Sequence, residues 1–203
     1  MIKGLYAVTP DGLATELLCE KVSAALYGGA SMVQYRNKAA DAGLRLRQAT
    51  ALLALCRSFN VPLIINDHLD LCATIDADGL HLGATDCDIG AARRLLGSDK
   101  IIGASCYNQF DLALVAQQAG ANYVAFGACF ASSTKPNAPL ASLDLFTRAK
   151  NELSIPAVAI GGITLQNAAQ IKLAGAVAIA VVNALFTADD VKSTTQQFSQ
   201  LFI

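Results

Sequence analysis

The stretch "YGGASMVQY", residues 27–35, has the pattern of a helix end, a glycine turn and a short buried strand. The same order recurs in "FNVPLIIN" (59–66), "QAGANYVAF" (118–126) and "LSIPAVAI" (153–160), where a Gly or Pro turn precedes each apolar run. Turns that repeatedly precede short β-rich runs indicate a chain built from repeated βα units.

Eight short β-rich runs can be counted along the chain, at 2–8, 32–35, 62–66, 79–82, 101–105, 123–127, 157–161 and 177–182. The intervals between them have helical periodicity, although the third interval is short. Strands that alternate with helices form a parallel sheet, and eight units close naturally into a barrel. An open, doubly wound sheet has about five or six strands, and the Gly-x-Gly-x-x-Gly fingerprint is absent after the first strand. The sequence therefore predicts an α/β fold, a single (β/α)8 TIM barrel domain covering residues 1–203.

The overall charge argues against nucleic-acid and membrane-surface partners. Lys and Arg total 15 and Asp and Glu total 16, with no run of basic residues, so no cationic footprint is expected. The amino terminus, "MIKGLYAVTP", has no secretory-signal pattern, and no apolar run reaches the length of a membrane span. We expect a cytoplasmic protein that binds a small molecule.

The cysteines and histidines do not form a recognisable metal motif. The six cysteines include no C-x-x-C pair, which favours reduced thiols in the core. His68 and His81 lack ligand spacing, so a structural role is predicted for both.

The second strand ends in a cationic segment, "VQYRNK" at 33–38, where a plain turn would use Gly, Asn or Asp. Residues two apart on a strand point the same way, so Gln34, Arg36 and Lys38 are predicted to face one point above the barrel. Sites of such barrels lie at the carboxyl ends of the strands. An amide and two cations there predict an anion-binding site.

Acidic residues follow the next two strands. Asn66 and Asp67 end "IIND", and Asp86 lies in the loop after "GLHL". Two carboxylates and a substrate phosphate are a common ligand set for Mg²⁺, so a metal-chelated diphosphate is predicted beside the two cations. The alternative is a surface ion pair or a helix cap, with Asp67 capping the third helix and Asp86 or Asp88 the fourth.

The loop after the sixth strand, "GACFASSTKPNAP" at 127–139, is rich in hydroxyl groups. Ser132, Ser133 and Thr134 can donate to phosphate oxygens, and Lys135 adds a positive charge. The alternative for this segment is a solvated connecting loop.

The loops after strands seven and eight suggest a second phosphate site. Gly161 and Gly162 allow backbone N–H groups to approach a ligand, and the eighth helix is predicted to begin at about Asn183. The alternative is a Gly-Gly turn that is needed only for tight packing.

These motifs, in this order, resemble the thiamine phosphate synthase family. The resemblance runs through "LYAVTP", "VQYRNK", "INDHLDLCATIDADGLHLGATD", "IIGAS", "GACFASSTK", "AIGGI" and "AIAVVNALF", which together span nearly the whole chain. It implies a (β/α)8 barrel that joins 4-amino-2-methyl-5-hydroxymethylpyrimidine diphosphate to 4-methyl-5-(2-phosphoethyl)thiazole, forming thiamine phosphate and pyrophosphate with Mg²⁺ as cofactor.

The resemblance also implies which residues bind each group. The diphosphate would be held by Gln34, Arg36, Lys38, Asn66 and Lys135, and the Mg²⁺ by Asp67 and Asp86. Ser105 would lie near the pyrimidine and the leaving group. The thiazole phosphate would be bound by Ser132, Thr134, Gly161 and Gly162, near Asn183. Arg36, Lys38, Lys135 and Ser105 would be the catalytic residues.

The chain departs from the family pattern at three places. Ala84 replaces a usual Gln, Ala131-Ser132 replaces Pro-Thr, and Asn183 replaces Ser. The loss of the glutamine predicts altered pyrimidine binding or slower turnover. Two alternatives remain at this point: a thiazole tautomerase-like relative, and a non-catalytic barrel that binds thiamine-precursor phosphates. A homo-oligomer is compatible with the sequence.

Overall fold

A computed structural model describes residues 2–83, 86–131 and 139–202 of the chain. Its parallel strands form a closed barrel in sequence order, which confirms the predicted fold. The strands are β1 (Gly4–Val8), β2 (Met32–Tyr35), β3 (Leu63–Asn66), β4 (Gly79–Leu82), β5 (Ile101–Tyr107), β6 (Tyr123–Phe126), β7 (Ala157–Ile160) and β8 (Ala178–Val181).

The helices lie outside the barrel and alternate with the strands. They are α1 (Thr15–Tyr27), α2 (Ala42–Ser58), α3 (Leu69–Thr74), α4 (Ile89–Leu96), α5 (Phe110–Gln118), α6 (Asp144–Glu152), α7 (Ala168–Leu173), α8 (Asn183–Phe186) and α9 (Val191–Gln200). Helix α3 has 6 residues, in agreement with the short third interval in the sequence. No helix in the described part of the chain is both long and apolar enough to cross a membrane.

The barrel closes through pairing of the first and last strands. Gly4 is the register partner of Ala178, and the pairing continues to Ala7 and Val181. The predicted limits of β2 and β4 are those observed, whereas β5 extends two residues beyond its predicted end at Ser105. All eight strands end at the same mouth, so the loops that follow them lie together.

The core has two layers because strand side chains alternate between the two faces of the sheet. The outer layer packs between the strands and the helices, and it includes four of the six free cysteines, Cys56, Cys72, Cys106 and Cys129. The inner layer fills the barrel. It is composed of Tyr6, Val8, Met32, Ile64, Tyr123, Ala125, Val158, Ala178 and Ala180.

Two glycines make room for the inner layer. A Cβ atom on Gly103 would lie 2.0 Å from Cζ of Tyr123, and one on Gly79 would lie 2.2 Å from the carbonyl oxygen of Ile101. The Gly103 position therefore allows the Tyr123 ring to cross the barrel interior and reach Tyr6 on β1, with the ring centroids 6.0 Å apart.

Candidate active site

The loop after β1 holds the cationic segment that follows β2. The Oγ1 atom of buried Thr9 accepts from the backbone N–H of Arg36 and donates to its carbonyl oxygen, both at 2.9 Å. Asp11 binds the same segment twice, through an ion pair with Arg36 at 2.9 Å and by accepting from the backbone N–H of Lys38 at 2.7 Å. These four bonds hold the backbone of Arg36 and Lys38, and the Arg36 guanidinium, against the loop after β1.

The second cation lies beside the predicted metal ligands. Lys38 Nζ is 3.3 Å from Oδ2 of Asp67. The carboxyl group of Asp86 lies within hydrogen-bonding reach of the Asp67 carboxylate and also accepts from the Gly83 N–H at 2.6 Å. Strands β3 and β4 are neighbours, so the two carboxylates predicted to share a cation do converge.

Electrostatics favour a cation at this point. Burial raises the pKa of Asp86 above its usual range, and the neighbouring Asp67 carboxylate raises that pKa further, while the Gly83 N–H and Lys38 act in the opposite direction. Two carboxylates held this close repel each other unless a positive charge is added. In the part of the chain that the structure describes, no group of three or more His, Cys, Asp or Glu side chains could hold a metal. The two carboxylates themselves are a donor set of the kind that Mg²⁺ uses, because Mg²⁺ takes one or two protein carboxylates and completes its shell with water and phosphate oxygens.

The helix-cap alternative applies to a different aspartate. Asp88 is the N-cap of α4 and accepts from the Ala91 N–H at 2.8 Å. Asp67 has a positive φ of 62° and precedes His68, which is the N-cap residue of α3 and forms no side-chain cap bond. Neither Asp67 nor Asp86 therefore caps α3 or α4, and their metal-binding role stays a prediction.

The remaining predicted residues on strands β2, β3 and β5 are buried or half-buried. Asn66 is buried at the end of β3. Gln34 is 4% exposed, and its Nε2 donates to the Tyr6 hydroxyl at 2.7 Å inside the barrel. Ser105 is half-buried near the end of β5, with its Oγ 2.9 Å from Nε2 of His81. Gln34 thus lies on β2, whereas Arg36 and Lys38 lie in the loop that follows the end of this strand at Tyr35.

His81 is a buried residue of the barrel interior. Its Nδ1 is 2.9 Å from the Tyr123 hydroxyl, and the two rings stack with centroids 5.5 Å apart. Burial lowers the pKa of His81 to about 4, against a weak opposing effect of Asp86. The imidazole is therefore neutral at pH 7, in agreement with its predicted structural role.

The two glycines after β7 pack tightly against the loop that follows β6. Gly161 and Gly162 have φ values of 97° and 65°. A Cβ atom on Gly161 would lie 2.7 Å from Cα of Ala128, and one on Gly162 would lie 2.5 Å from the carbonyl oxygen of Ala131. Packing alone thus explains both glycines, and their predicted phosphate contacts stay a prediction. Asn183 begins α8, as predicted.

Some predicted residues lie outside the described part of the chain. They are Ser132, Ser133, Thr134 and Lys135 of the hydroxyl-rich loop. The same holds for Ala84, one of the three departures from the family pattern.

Sequence reasoning missed Thr9 and Asp11. Both lie in "AVTPDG", which has the composition of a turn, yet it directly follows the buried strand β1. Its position at a strand carboxyl end was the available signal, because the other loops at that mouth carry the site. The polar residues Tyr6, His81 and Tyr123 were also missed as a group, although each lies within a β-rich run.

Comparison with known proteins identifies the family. The family model described as thiamine monophosphate synthase matches residues 5–185. The chain belongs to the thiamine monophosphate synthase family.

Relatives in the thiamine monophosphate synthase family match the chain over nearly its full length. A thiamine-phosphate synthase of Methylobacillus flagellatus is 58% identical, covering 99% of this chain and 96% of the relative. One of Nitrosomonas eutropha is 52% identical, covering 99% and 95%. The solved structure of thiamine phosphate pyrophosphorylase from Pyrococcus furiosus has a TM-score of 0.87 at 32% identity, covering 98% of this chain and 95% of that chain. Membership of this family makes the protein an enzyme of the transferase class.

Proposed function

We propose that this enzyme joins 4-amino-2-methyl-5-hydroxymethylpyrimidine diphosphate to 4-methyl-5-(2-phosphoethyl)thiazole in a Mg²⁺-dependent reaction that forms thiamine phosphate and pyrophosphate. The observation that carries the proposal is the convergence of Asp67 and Asp86 beside Lys38 at the barrel mouth. A cation shared by two carboxylates next to a lysine is the arrangement that a diphosphate group requires. The names of the relatives support the same product.

Residues at the mouth would stabilise the departing diphosphate. Asp67 and Asp86 would hold Mg²⁺, which when bound would neutralise charge on the phosphate oxygens. Arg36 and Lys38 would bind the same oxygens, and the Thr9 and Asp11 contacts fix the segment that carries them. Because charge on the leaving group increases as the C–O bond breaks, fixed cations stabilise the transition state more than the bound substrate. Lys135 is proposed to add a further positive charge.

The reaction needs no protein nucleophile or general base. The thiazole nitrogen is itself nucleophilic, and the aminopyrimidine ring delocalises the positive charge left by the departing diphosphate. In agreement with this, His81 is buried, and both of its ring nitrogens are hydrogen-bonded, to Tyr123 and Ser105. It is therefore not positioned as a base at the mouth. The main task of the protein is then to orient two substrates and to stabilise the diphosphate.

A coupled assay with both purified substrates tests the proposal. Pyrophosphate release is expected with both substrates and Mg²⁺, and EDTA should stop it until excess Mg²⁺ is added. Release that persists in EDTA would contradict the metal assignment, and no release under any condition would contradict the reaction. A thiazole tautomerase would instead need a proton shuttle and no metal, and it would release no pyrophosphate in this assay.

Replacement of Asp11 by alanine tests whether its contacts with Arg36 and Lys38 contribute to substrate binding. The change removes the ion pair to Arg36 and the acceptor for the Lys38 N–H. We expect kcat/KM for the pyrimidine diphosphate to fall about tenfold, the effect of about 1.4 kcal/mol of lost transition-state binding. KM for the thiazole phosphate should not change.

The fold should tolerate this substitution, since an exposed ion pair contributes about 1 kcal/mol or less to stability. Asp41→Ala is a suitable control because it removes another loop aspartate, the N-cap of α2, whose side chain accepts from the Leu44 N–H. A similar fall in kcat/KM in both variants would show that Asp11 acts only through general stability.

A further inference from the structure

A chain of five polar side chains crosses the inside of the barrel and ends at the mouth. Gln34 Nε2 is 2.7 Å from the Tyr6 hydroxyl, and the Tyr6 and Tyr123 hydroxyls are 2.9 Å apart. The Tyr123 hydroxyl is 2.9 Å from Nδ1 of His81, and Nε2 of His81 is 2.9 Å from Oγ of Ser105. Only Ser105 is half-buried, and the other four residues are buried.

The chain of bonds has a direction. Gln34 donates to Tyr6, so the Tyr6 proton is free to be donated to Tyr123, its other hydrogen-bond partner among the described residues. Tyr123 then donates to Nδ1 of His81, and a neutral imidazole with an accepting Nδ1 carries its proton on Nε2. That N–H donates to Ser105 Oγ, which leaves the serine hydroxyl proton available for another acceptor.

The geometry leaves little freedom for these rings. The absence of a side chain at Gly103 gives the Tyr123 ring its place, because a Cβ there would lie 2.4 Å from the Tyr123 hydroxyl oxygen. The Tyr123 ring packs edge-on against Tyr6 and stacks on His81, with an interplanar angle of 26°. A buried network in which each member is satisfied fixes the orientation of its last group.

We propose that His81, oriented by Tyr123 and Tyr6, is a positioning residue that turns the Ser105 hydroxyl proton toward the mouth, where it donates to an acceptor atom of the pyrimidine diphosphate substrate. The acceptor is a ring nitrogen or the oxygen of the departing diphosphate. This inference rests on the proposed function, which gives the substrate. His81, Tyr6 and Tyr123 act through Ser105 and do not touch the substrate.

The histidine tautomer tests the direction without any substrate. The protein has 2 histidines, so ¹⁵N-histidine labelling gives a simple spectrum, and His81→Asn assigns the signal. We expect His81 to carry its proton on Nε2 in the unmodified protein. In Tyr123→Phe, which removes the donor to Nδ1 but keeps the ring, the Nδ1–H form should become populated. A wild-type His81 protonated on Nδ1 would overturn the proposal.

Kinetics test whether Tyr123 and His81 affect turnover through Ser105. We expect Tyr123→Phe to lower kcat about tenfold, as the loss of one oriented hydrogen bond predicts, with no change in KM for the thiazole phosphate. Tyr6→Phe, one bond further away, should lower kcat by a smaller factor and serves if Tyr123→Phe folds poorly. In a Ser105→Ala background, Tyr123→Phe should have no further effect on kcat. A second tenfold loss there would overturn the proposal.

A matched control removes a buried hydroxyl elsewhere. Thr195 is fully buried in α9, and its Oγ1 donates to the Val191 carbonyl at 2.7 Å. Thr195→Val should leave kcat and the His81 spectrum unchanged. Failure of the proposed function is distinguishable, because the wild-type enzyme would then release no pyrophosphate. The tautomer measurement would still show in which direction the hydrogen bonds from Gln34 to Ser105 are donated.

Discussion

Replacement of Asp86 by asparagine is expected to lower the rate of pyrophosphate release about a thousandfold, the size of effect seen when a preset charge-stabilising group is removed from an active site. The new amide oxygen can still accept from the Gly83 N–H, so the loop should keep its conformation. What is lost is one of two charges that would hold Mg²⁺ beside Lys38. Initial rates over a Mg²⁺ titration check this, and the apparent Mg²⁺ affinity should fall together with the rate.

Asp88 provides the control, only two residues further along the chain. Its carboxylate caps α4 and has no place in the proposed site. Asp88→Ala should lower the free energy of unfolding by about 1 kcal/mol and leave turnover unchanged. An Asp86→Asn enzyme with wild-type turnover would show that the diphosphate and its metal bind elsewhere.

The Gly103→Ala substitution is expected to lower the free energy of unfolding by about 3 kcal/mol, near the upper end for overpacked cores. The added methyl group would lie within 2.4 Å of three atoms of the Tyr123 side chain, two in the ring and the hydroxyl oxygen. That ring is fully buried and packed against Tyr6 and His81, so any shift of the ring would disturb these two contacts. Urea unfolding followed by circular dichroism measures the change.

Two further variants distinguish a local clash from a general effect of alanine. Gly43 lies in the first turn of α2, where the nearest atom to an added Cβ is a carboxylate oxygen of Asp41 at 3.3 Å. Gly43→Ala should change the free energy of unfolding by about 1 kcal/mol or less. The double variant Gly103→Ala, Tyr123→Leu should be as stable as Tyr123→Leu alone, because the ring that clashes is absent. If the double variant has a much lower free energy of unfolding than Tyr123→Leu alone, the added methyl group clashes with a residue other than Tyr123.

The fold could be predicted well from the sequence because two local signals agree at each βα unit. Gly and Pro turns mark the start of strands, and buried parallel strands are nearly continuous apolar runs. The ends of strands were less predictable. Strand β5 continues through Cys106 to Tyr107, where a register shift against β6 and a positive φ of 52° end the regular pairing. Such a bulge depends on the neighbouring strand and has no local sequence signal.

The arrangement of the candidate site could be predicted only in part. The types and positions of Lys38, Asp67 and Asp86 were sufficient to predict that they converge. Strand β2 ends at Tyr35, so Arg36 lies in the loop, and its guanidinium pairs with Asp11, 25 residues earlier in the chain. A contact between two loops depends on barrel closure, so it cannot be derived from either loop alone.

Gln34 illustrates a second limit. Its place on β2 correctly predicts an inward direction, but not that its amide N–H donates to the Tyr6 hydroxyl. Whether an inward polar residue serves the substrate or the interior depends on the residues at the same level of the other strands. Tyr6 and Tyr123 are separated by 117 positions in the chain, a distance over which a single sequence carries no pairing signal.

Closure of the barrel through β1 and β8 also affects how the protein behaves at high concentration. Each of the eight strands is hydrogen-bonded on both sides. A free sheet edge carries a row of unpaired amides to which a strand of another molecule can add, and such addition is a common route to aggregation. A closed barrel has no free edge of this kind. The folded enzyme should therefore resist edge-to-edge association, and aggregation should begin only from molecules in which the β1–β8 seam has opened.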